Sequence, residues 1–492
     1  PQKSFTHSSI TFLEIGRMWL RPYFSLPSTI VSLLWENPVE FCLKVQQRFG
    51  IRLWETSRKE TSVPSWSTKE PRNYELPGQI HRSMRSSEDE RKAVLYFANN
   101  SMPYTQSGYT VRTHGMLRAY NKTNSRKIIC VTRLGYPVVV GRIPRSQEDV
   151  LSGVTYRRII PRFFFPSSRL RAREEIRELT KIAESEQVGV IHTTTDFRNA
   201  YVASQVAKRL SIPWVYEVRG ERENTWLSQF EAAERKAAAA SGYYNYAHEK
   251  EKEAVGKAGS AIFLSEVAKE YAVSNGIDPR LAWVIPNSLP EGGKATEGHD
   301  SAQKLVSSLL DNNKIYIGTV SSLVHYEGLS IVIRALPYLP VEVNALFVGD
   351  GTERRRLEAL ARSLGVHDRV VFAGKQPTES IGEWYRALDV FVVPRISSLV
   401  TARVTPIKPL EAMRVGIPVL ASDLPALHEV TGEFAVYFAP EQLEDFVRKI
   451  KMILDGNVEI DQERVDQWLR TRTWEYNVKK LEALYSELTG GK

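Results

Sequence analysis

From Lys92 onward the chain alternates short, continuous apolar runs with helix-length amphipathic stretches, and this alternation leaves few folds open. The runs AVLYFA (93–98), KIICVT (127–132), VGVIHT (188–193), PWVYEV (213–218) and SAIFLS (260–265) are apolar at successive positions rather than at every second one. A strand of that kind is buried on both faces, as in a parallel sheet covered by helices. A second series follows: KIYIGTV (314–320), NALFVGD (344–350), RVVFAG (369–374), VFVVP (390–394) and PVLAS (418–422). With 492 residues the chain is too long for one core. Two tandem Rossmann-like, doubly wound α/β domains are therefore expected. The expected division is an N-terminal extension and linker over 1–90, an acceptor-side domain over 91–287, a donor domain over 288–470, and a terminal helix over 471–492.

Composition narrows the class of protein. The two cysteines, Cys42 and Cys130, provide neither a disulfide framework nor a metal-ligand cluster, which suits a reducing cytoplasm. No apolar run approaches the roughly 20 residues that cross a bilayer, and no signal-peptide pattern is present. The formal charge of +9 points to anionic partners. Much of it is gathered in one segment, where Arg157, Arg158, Arg162, Arg169, Arg171 and Arg173 flank Phe163, Phe164 and Phe165. A solvated linker and a contact with a membrane surface or an anionic acceptor are both compatible with this segment. Nucleic-acid binding is not expected, because no reader motif accompanies the charge. Near the N-terminus, Phe12, Ile15, Trp19 and Leu20 share one face of a candidate helix over Thr11–Tyr23. That helix would lie on a membrane interface or pack on the main body. Arg58–Asp89 reads as a linker.

In open α/β sheets ligands sit at the carboxyl ends of the strands, where loops and helix N-termini present N–H groups. In the second series those ends carry SSLVHYEGL, GTERR, KQPTES and RISSLVTARVTPIKPLEAM. The last is the most informative. Pro406 followed by KPLEAMRVG predicts a helix whose first free N–H groups, from Ile407, face a diphosphate. Lys408 and Arg395 add charge there, and Glu411 in the first turns suits the vicinal hydroxyls of a ribose.

The order GTV…YEGL, VGDGTERRRLEALARSLGVHDRVVFAG and PR…PLEAMRVGIPVLASD resembles glycosyltransferase family 4, most closely a bacterial subgroup with YEGL and TPxKPLEAM motifs. The resemblance implies a GT-B fold with a cleft between its domains. It also implies a retaining, metal-independent hexosyltransferase without cofactor, using a nucleotide sugar, with UDP the commonest base. The acceptor would be a glycan, lipid-linked or protein acceptor in bacterial cell-envelope synthesis. By the same resemblance Glu411 is the ribose ligand, and Ile407 and Lys408 form the diphosphate cradle, preceded by Thr405 and Pro406. Gly374, Lys375 and Gln376 flank the base, and the stretch from Gly318 to Ser322 lies below the diphosphate. Two departures stand out. Arg403 occupies the place of the first glutamate of the family's E-x7-E motif, and Tyr326–Glu327 stands where a lysine is common before Gly328. Arg395 and Lys408 are the natural substitutes for the missing cation.

In the first domain, PYTQSGYTVRTHG resembles the family's glycine-containing loop facing the diphosphate, with Gly108 permitting close approach and Arg112 within reach of an anion. His192 and Asn199, in VIHTTTDFRNA, fall on the same acceptor side. Arg219 stands where many members carry a histidine. A guanidinium with a pKa above about 12 cannot act as a base, but it can bind phosphate. Glu217 is expected on the same face, paired with Arg219. Arg395, Lys408 and Arg219 are thus the candidate catalytic residues. VIPNSLPEG (284–292) resembles the interdomain hinge. A nucleotide-sugar 2-epimerase of the same fold and a non-catalytic GT-B partner subunit remain alternatives. An intracellular protein is expected, in peripheral contact with the inner membrane face through its basic N-terminal half.

Overall fold

In the computed structural model the apolar runs become strands, and those at the sheet centres are buried along their whole length. The structure describes residues 74–78, 93–123, 126–227, 230, 232–291, 300–377 and 380–490. The candidate helix Thr11–Tyr23 and all of the Arg58–Asp89 segment except 74–78 lie outside these residues. The first sheet has eight strands: β1 (Ala93–Ala98), β2 (Ile128–Thr132), β3 (Glu148–Leu151), β4 (Val154–Arg158), β5 (Val188–Thr194), β6 (Trp214–Val218), β7 (Ser260–Phe263) and β8 (Ala282–Val284). Their order is β3-β4-β2-β1-β5-β6-β7-β8. β1 lies between β2 and β5, parallel to both, so the winding reverses at β1/β5. The helices that cover this sheet begin on local caps. α1 (Gly108–Thr123) starts where Ser107 N–H donates to Thr110 Oγ1 at 2.8 Å and Thr110 N–H donates back to Ser107 Oγ. α2 (Ser168–Ser185) is capped by Ser167, and α3 (Phe197–Leu210) by Asp196.

The β3–β4 hairpin lies at the sheet edge, within the stretch read as either linker or contact surface. Arg157 and Arg158 belong to β4, while Arg169, Arg171 and Arg173 belong to α2, so a solvated linker is ruled out there. Ser152 and Gly153 both have positive φ, 49° and 80°, which suits a two-residue hairpin turn. β4 alternates buried and half-buried residues. Edge strands with one wet face lack the continuous apolar signature used to find the others.

The second sheet contains β9 (Ile315–Val320), β10 (Val343–Val348), β11 (Val370–Gly374), β12 (Val390–Val393), β13 (Val419–Ser422) and β14 (Val436–Phe438). Every pair is parallel, in the order β11-β10-β9-β12-β13-β14. This is a doubly wound sheet whose winding reverses between β9 and β12. Both faces are covered: Ile317, Phe347, Val390 and Val392 enter one core cluster, and Tyr316, Leu346, Phe391 and Val393 enter the other. Gly318 sits inside β9, where a Cβ would come within 1.9 Å of the Leu346 carbonyl oxygen. It serves close strand packing and is not part of the loop that follows. After β12 come α4 (Leu399–Arg403), closed by a reciprocal Ser398–Thr401 capping box, and α5 (Lys408–Arg414).

The two compact units interleave along the chain. The first runs up to Glu217 and takes in Ala240–Ala261 and the stretch from Ala483. The second holds Val218–Ala239 and Ile262–Glu482. Among the described residues no helix is long and apolar enough to cross a membrane.

Candidate active site

At the reversal between β9 and β12, where open sheets of this kind bind ligands at their carboxyl ends, three charged side chains meet. The loop after β9 brings Glu327, the residue after Pro394 brings Arg395, and the first residue of α5 brings Lys408. Arg395 grips the Glu327 carboxylate with two donors, Nη2 to Oε1 at 3.1 Å and Nε to Oε2 at 3.4 Å. Lys408 Nζ reaches the same Oε1 at 3.5 Å. Arg395 also donates to the Val404 carbonyl at 2.8 Å, and Ser422 Oγ donates to the Arg395 carbonyl at 2.7 Å. The guanidinium is therefore held between Glu327 and the Val404 carbonyl, and Ser422 fixes the backbone that carries it.

The loops can approach this closely because of Gly328. Its φ is 66°, and a Cβ would stand 1.9 Å from the Pro394 carbonyl oxygen. Any side chain there would separate the β9 loop from the β12 loop, and with them Glu327 from Arg395.

Two cations share one carboxylate, so the cluster carries a net positive charge. Burial by itself would raise the Glu327 pKa, but Arg395 and then Lys408 hold it down to about 2. Burial lowers the Lys408 pKa, aided by Arg395 and opposed by Glu327. The side chains of Arg395 and Glu327 are 7% and 5% exposed, whereas Lys408 is 27% exposed. Lys408 is thus the member of the cluster that an incoming anion can touch. No side chain caps the start of α5 at Ile407, so its first N–H groups are available beside Lys408.

The other donor-side residues are placed as follows. Glu411 lies one turn along α5 from Lys408 and pairs with Arg414. Burial raises its pKa while Arg414 opposes the shift. Thr405 is buried, donating to the Leu264 carbonyl and accepting from Asn287 Nδ2 at 2.8 Å. Pro406 is buried beside it and Ile407 is half-buried. Ser322 is exposed just past β9, and Lys375 is exposed just past β11. Gly374 ends β11 at φ 70°, and Gln376 is tied back to the Ala373 carbonyl at 2.6 Å. Arg403 donates to Glu221 at 2.6 Å and stacks over Tyr271 at 3.8 Å. Arg219 is buried just past β6.

Glu327 is the member of this cluster that motif reading left out of the site. Its signal was positional: it precedes a left-handed glycine in the loop at the winding reversal.

The acceptor-side set needs correction. Arg112 and Glu217 form an ion pair at 2.5 Å, with side chains 1% and 0% exposed. Tyr96 donates to Glu217 at 2.7 Å, and His192 Nε2 lies 3.4 Å from the same carboxylate. His192 Nδ1 is 2.6 Å from the Tyr485 hydroxyl. These side chains form a closed polar core around Glu217, and Arg112 is enclosed in it rather than open to a phosphate. Asn199 donates to the Thr194 carbonyl at 3.1 Å and so ties α3 to the end of β5. Gly108 opens α1, and a Cβ there would meet nothing within 4 Å.

The fold is thus a pair of doubly wound sheets with a charged cluster at the strand ends of the second, and comparison with known proteins gives it a class. Residues 107–288 match the family described as glycosyl transferase 4-like domain, and residues 300–469 that described as glycosyl transferases group 1. The two halves of the chain are thus similar to the two domains of glycosyltransferases, and its fold is the GT-B fold. Among curated relatives, a 2-deoxystreptamine glucosyltransferase from Streptomyces kanamyceticus is 28% identical over 204 residues, 40% of this chain and 51% of that protein. The lipopolysaccharide core biosynthesis mannosyltransferase LpsB of Rhizobium meliloti is 32% identical over 160 residues, 30% of this chain and 43% of that protein. The chain thus spans about half the length of the curated relatives it matches. Among solved structures, the sucrose-phosphate synthase of Thermosynechococcus elongatus superposes with a TM-score of 0.65 at 17% identity, over 81% of this chain and all of that one. Anabaena Alr3699/HepE in complex with UDP-glucose gives 0.54 at 17% identity, over 81% and 97%.

Proposed function

We propose that this protein transfers a sugar from a nucleotide-sugar donor, with the donor diphosphate seated against Lys408, Arg395 and the start of α5. The observation that carries the reading is the Glu327–Arg395–Lys408 cluster. It is a fixed excess positive charge at the winding reversal of a doubly wound sheet, with one cation open to solvent. Glu411, one turn further on, would take the ribose hydroxyls. A UDP-linked sugar is the donor of choice, in keeping with the UDP-glucose complex of the Anabaena protein. The acceptor class is a glycan, lipid-linked or protein acceptor in cell-envelope glycoconjugate synthesis, in keeping with the LpsB relative. The site of action would be the cytoplasmic side of the membrane.

The reaction proposed is a retaining, front-face substitution that needs no metal. The bond from the anomeric carbon to the diphosphate oxygen breaks, and the acceptor hydroxyl bonds to that carbon on the same face. The acceptor proton passes to the departing diphosphate. Charge developing on the leaving oxygen is met by Lys408 directly and by Arg395 behind it, and such pre-placed charge is a large catalytic term. Glu327 neutralises one of the two cations, which lets both occupy a partly dry site.

Thermal stabilisation and slow donor hydrolysis, screened across UDP-, GDP- and TDP-sugars, test the reading. At least one donor should raise the melting temperature and be hydrolysed, and both effects should vanish in Lys408→Ala and Glu411→Ala. A wild-type chain that neither binds nor hydrolyses any of them sinks the proposal.

A further inference from the structure

The donor site uses none of the charge gathered in the first unit. Between residues 141 and 181 stand ten basic and five acidic side chains, a surplus of five that makes up more than half of the chain's +9. The acidic ones are engaged. Glu148 pairs with Arg157 and Asp149 with Arg158, Glu174 and Glu178 pair with Arg177, and Glu178 also pairs with Lys181. Glu175 accepts from the Leu134 N–H. Arg162, Arg169 and Arg173 are exposed, and no hydrogen bond or ion pair engages their side chains among the described residues.

The placement of these arginines works against the helix that carries them. Arg169 and Arg173 lie in the first two turns of α2, which has no acidic residue in its first turn. Cations at a helix N-terminus oppose the macrodipole, and like charges at i and i+4 repel. Helix stability therefore gives no reason for them.

Apolar side chains are exposed in the same segment. Phe163 is 52% exposed and Leu170 is 42% exposed. The loop holding Phe163 is not loose. Phe164 is buried, with the Arg171 guanidinium 5.1 Å from its ring centre. Arg171 also donates to the Phe165 and Pro166 carbonyls at 2.8 and 2.9 Å, and Phe163 meets Phe165 edge-on at 5.3 Å. The chain is thus pinned behind a phenyl ring that points outward. An open cavity of roughly 700 Å³ separates this loop from the β3–β4 hairpin and the later turns of α2.

We propose that Phe163, Leu170, Arg162, Arg169 and Arg173 form a docking surface for an anionic phospholipid bilayer. The phenyl and leucine side chains would enter the headgroup–acyl boundary while the guanidinium groups meet lipid phosphates. A soluble polyanion would be met by the arginines alone and gives no role to an outward ring. This surface does not depend on the donor site, and its failure would leave the transferase reading untouched.

The test is co-sedimentation of the full chain with vesicles of phosphatidylcholine alone and of phosphatidylcholine mixed with phosphatidylglycerol. Binding is expected to the anionic vesicles only, and it should weaken as salt is raised. Phe163→Ser should weaken it roughly tenfold, and Arg169→Glu with Arg173→Glu by about tenfold or more. Tyr338→Ser, at an exposed position in the second unit, should leave it unchanged. Unaltered melting temperatures would show that the variants are folded. The proposal is overturned if the wild-type chain ignores anionic vesicles, or binds both kinds equally. It is also overturned if Phe163→Ser binds as well as wild type, an outcome that would assign the arginines to a soluble polyanion.

Discussion

Each unit buries a charged cluster close to the winding reversal of its sheet, yet the two clusters are built to different ends. Around Glu217 the Arg112 guanidinium, a tyrosine hydroxyl and an imidazole meet the carboxylate inside the core, with Arg112, Glu217 and His192 at most 1% exposed. Around Glu327 one member reaches solvent. Two cations meet one carboxylate, and the second cation is 27% exposed. Burial of charge is common to both, so burial alone does not mark a functional site. What separates them is a cation with a solvent-facing side, which a ligand can reach.

The comparison predicts different failures when each cluster is cut. Glu217→Ala strands Arg112 in the core and should cost about 3–5 kcal/mol of stability, read by denaturant unfolding. If the loss is under about 1 kcal/mol, the Glu217 cluster is not the closed structural unit described above. Lys408→Ala should instead leave the fold nearly intact while lowering donor turnover by roughly 10²–10³-fold, comparable to removing one pre-placed charge stabiliser. Unfolding without a turnover defect in the folded fraction would erase the distinction.

A third prediction concerns acid. Glu327 has a native pKa of about 2 against an ordinary 4.5, so its contribution is complete above about pH 4.5 and is lost as pH falls toward 2. The linked stability is about 3 kcal/mol. In Glu327→Gln this part of the acid sensitivity should disappear from the stability–pH curve. Glu327 also opposes the lowering of the Lys408 pKa, so the alkaline limb of the donor-hydrolysis profile should move to lower pH in the same variant. An unmoved limb would mean that Lys408 need not be protonated. The smallest expected effect is that of Gly328→Ala. Its strained φ and the contact with Pro394 should cost about 1–3 kcal/mol and spread Glu327 from Arg395. A variant with wild-type melting and donor affinity would show that the loops need not be so close.

Legibility followed burial. Continuous apolar runs such as AVLYFA and VFVV mark strands covered on both faces, and these were recognised to within a residue or two. The hairpin β3–β4 and the short strands β8 and β14 were not, because half-wet or three-residue strands lack that signature. On the donor side, Arg395 and Lys408 were legible from their positions after a strand and at a helix start. Glu327 was legible only as a departure from a family pattern, and its role depends on a contact 68 residues away in sequence. Arg112 and Glu217 misled for a related reason. They are 105 residues apart in sequence, and nothing local says that two charged groups will seal each other inside a core.

The stretch from Ala483 belongs to the first unit. Tyr485 is fully buried against His192, and Thr489 accepts from Arg126 at 3.3 Å. A ribosome therefore delivers every residue of the second unit before it delivers the piece that completes the first. The first unit is begun before the second and completed after it.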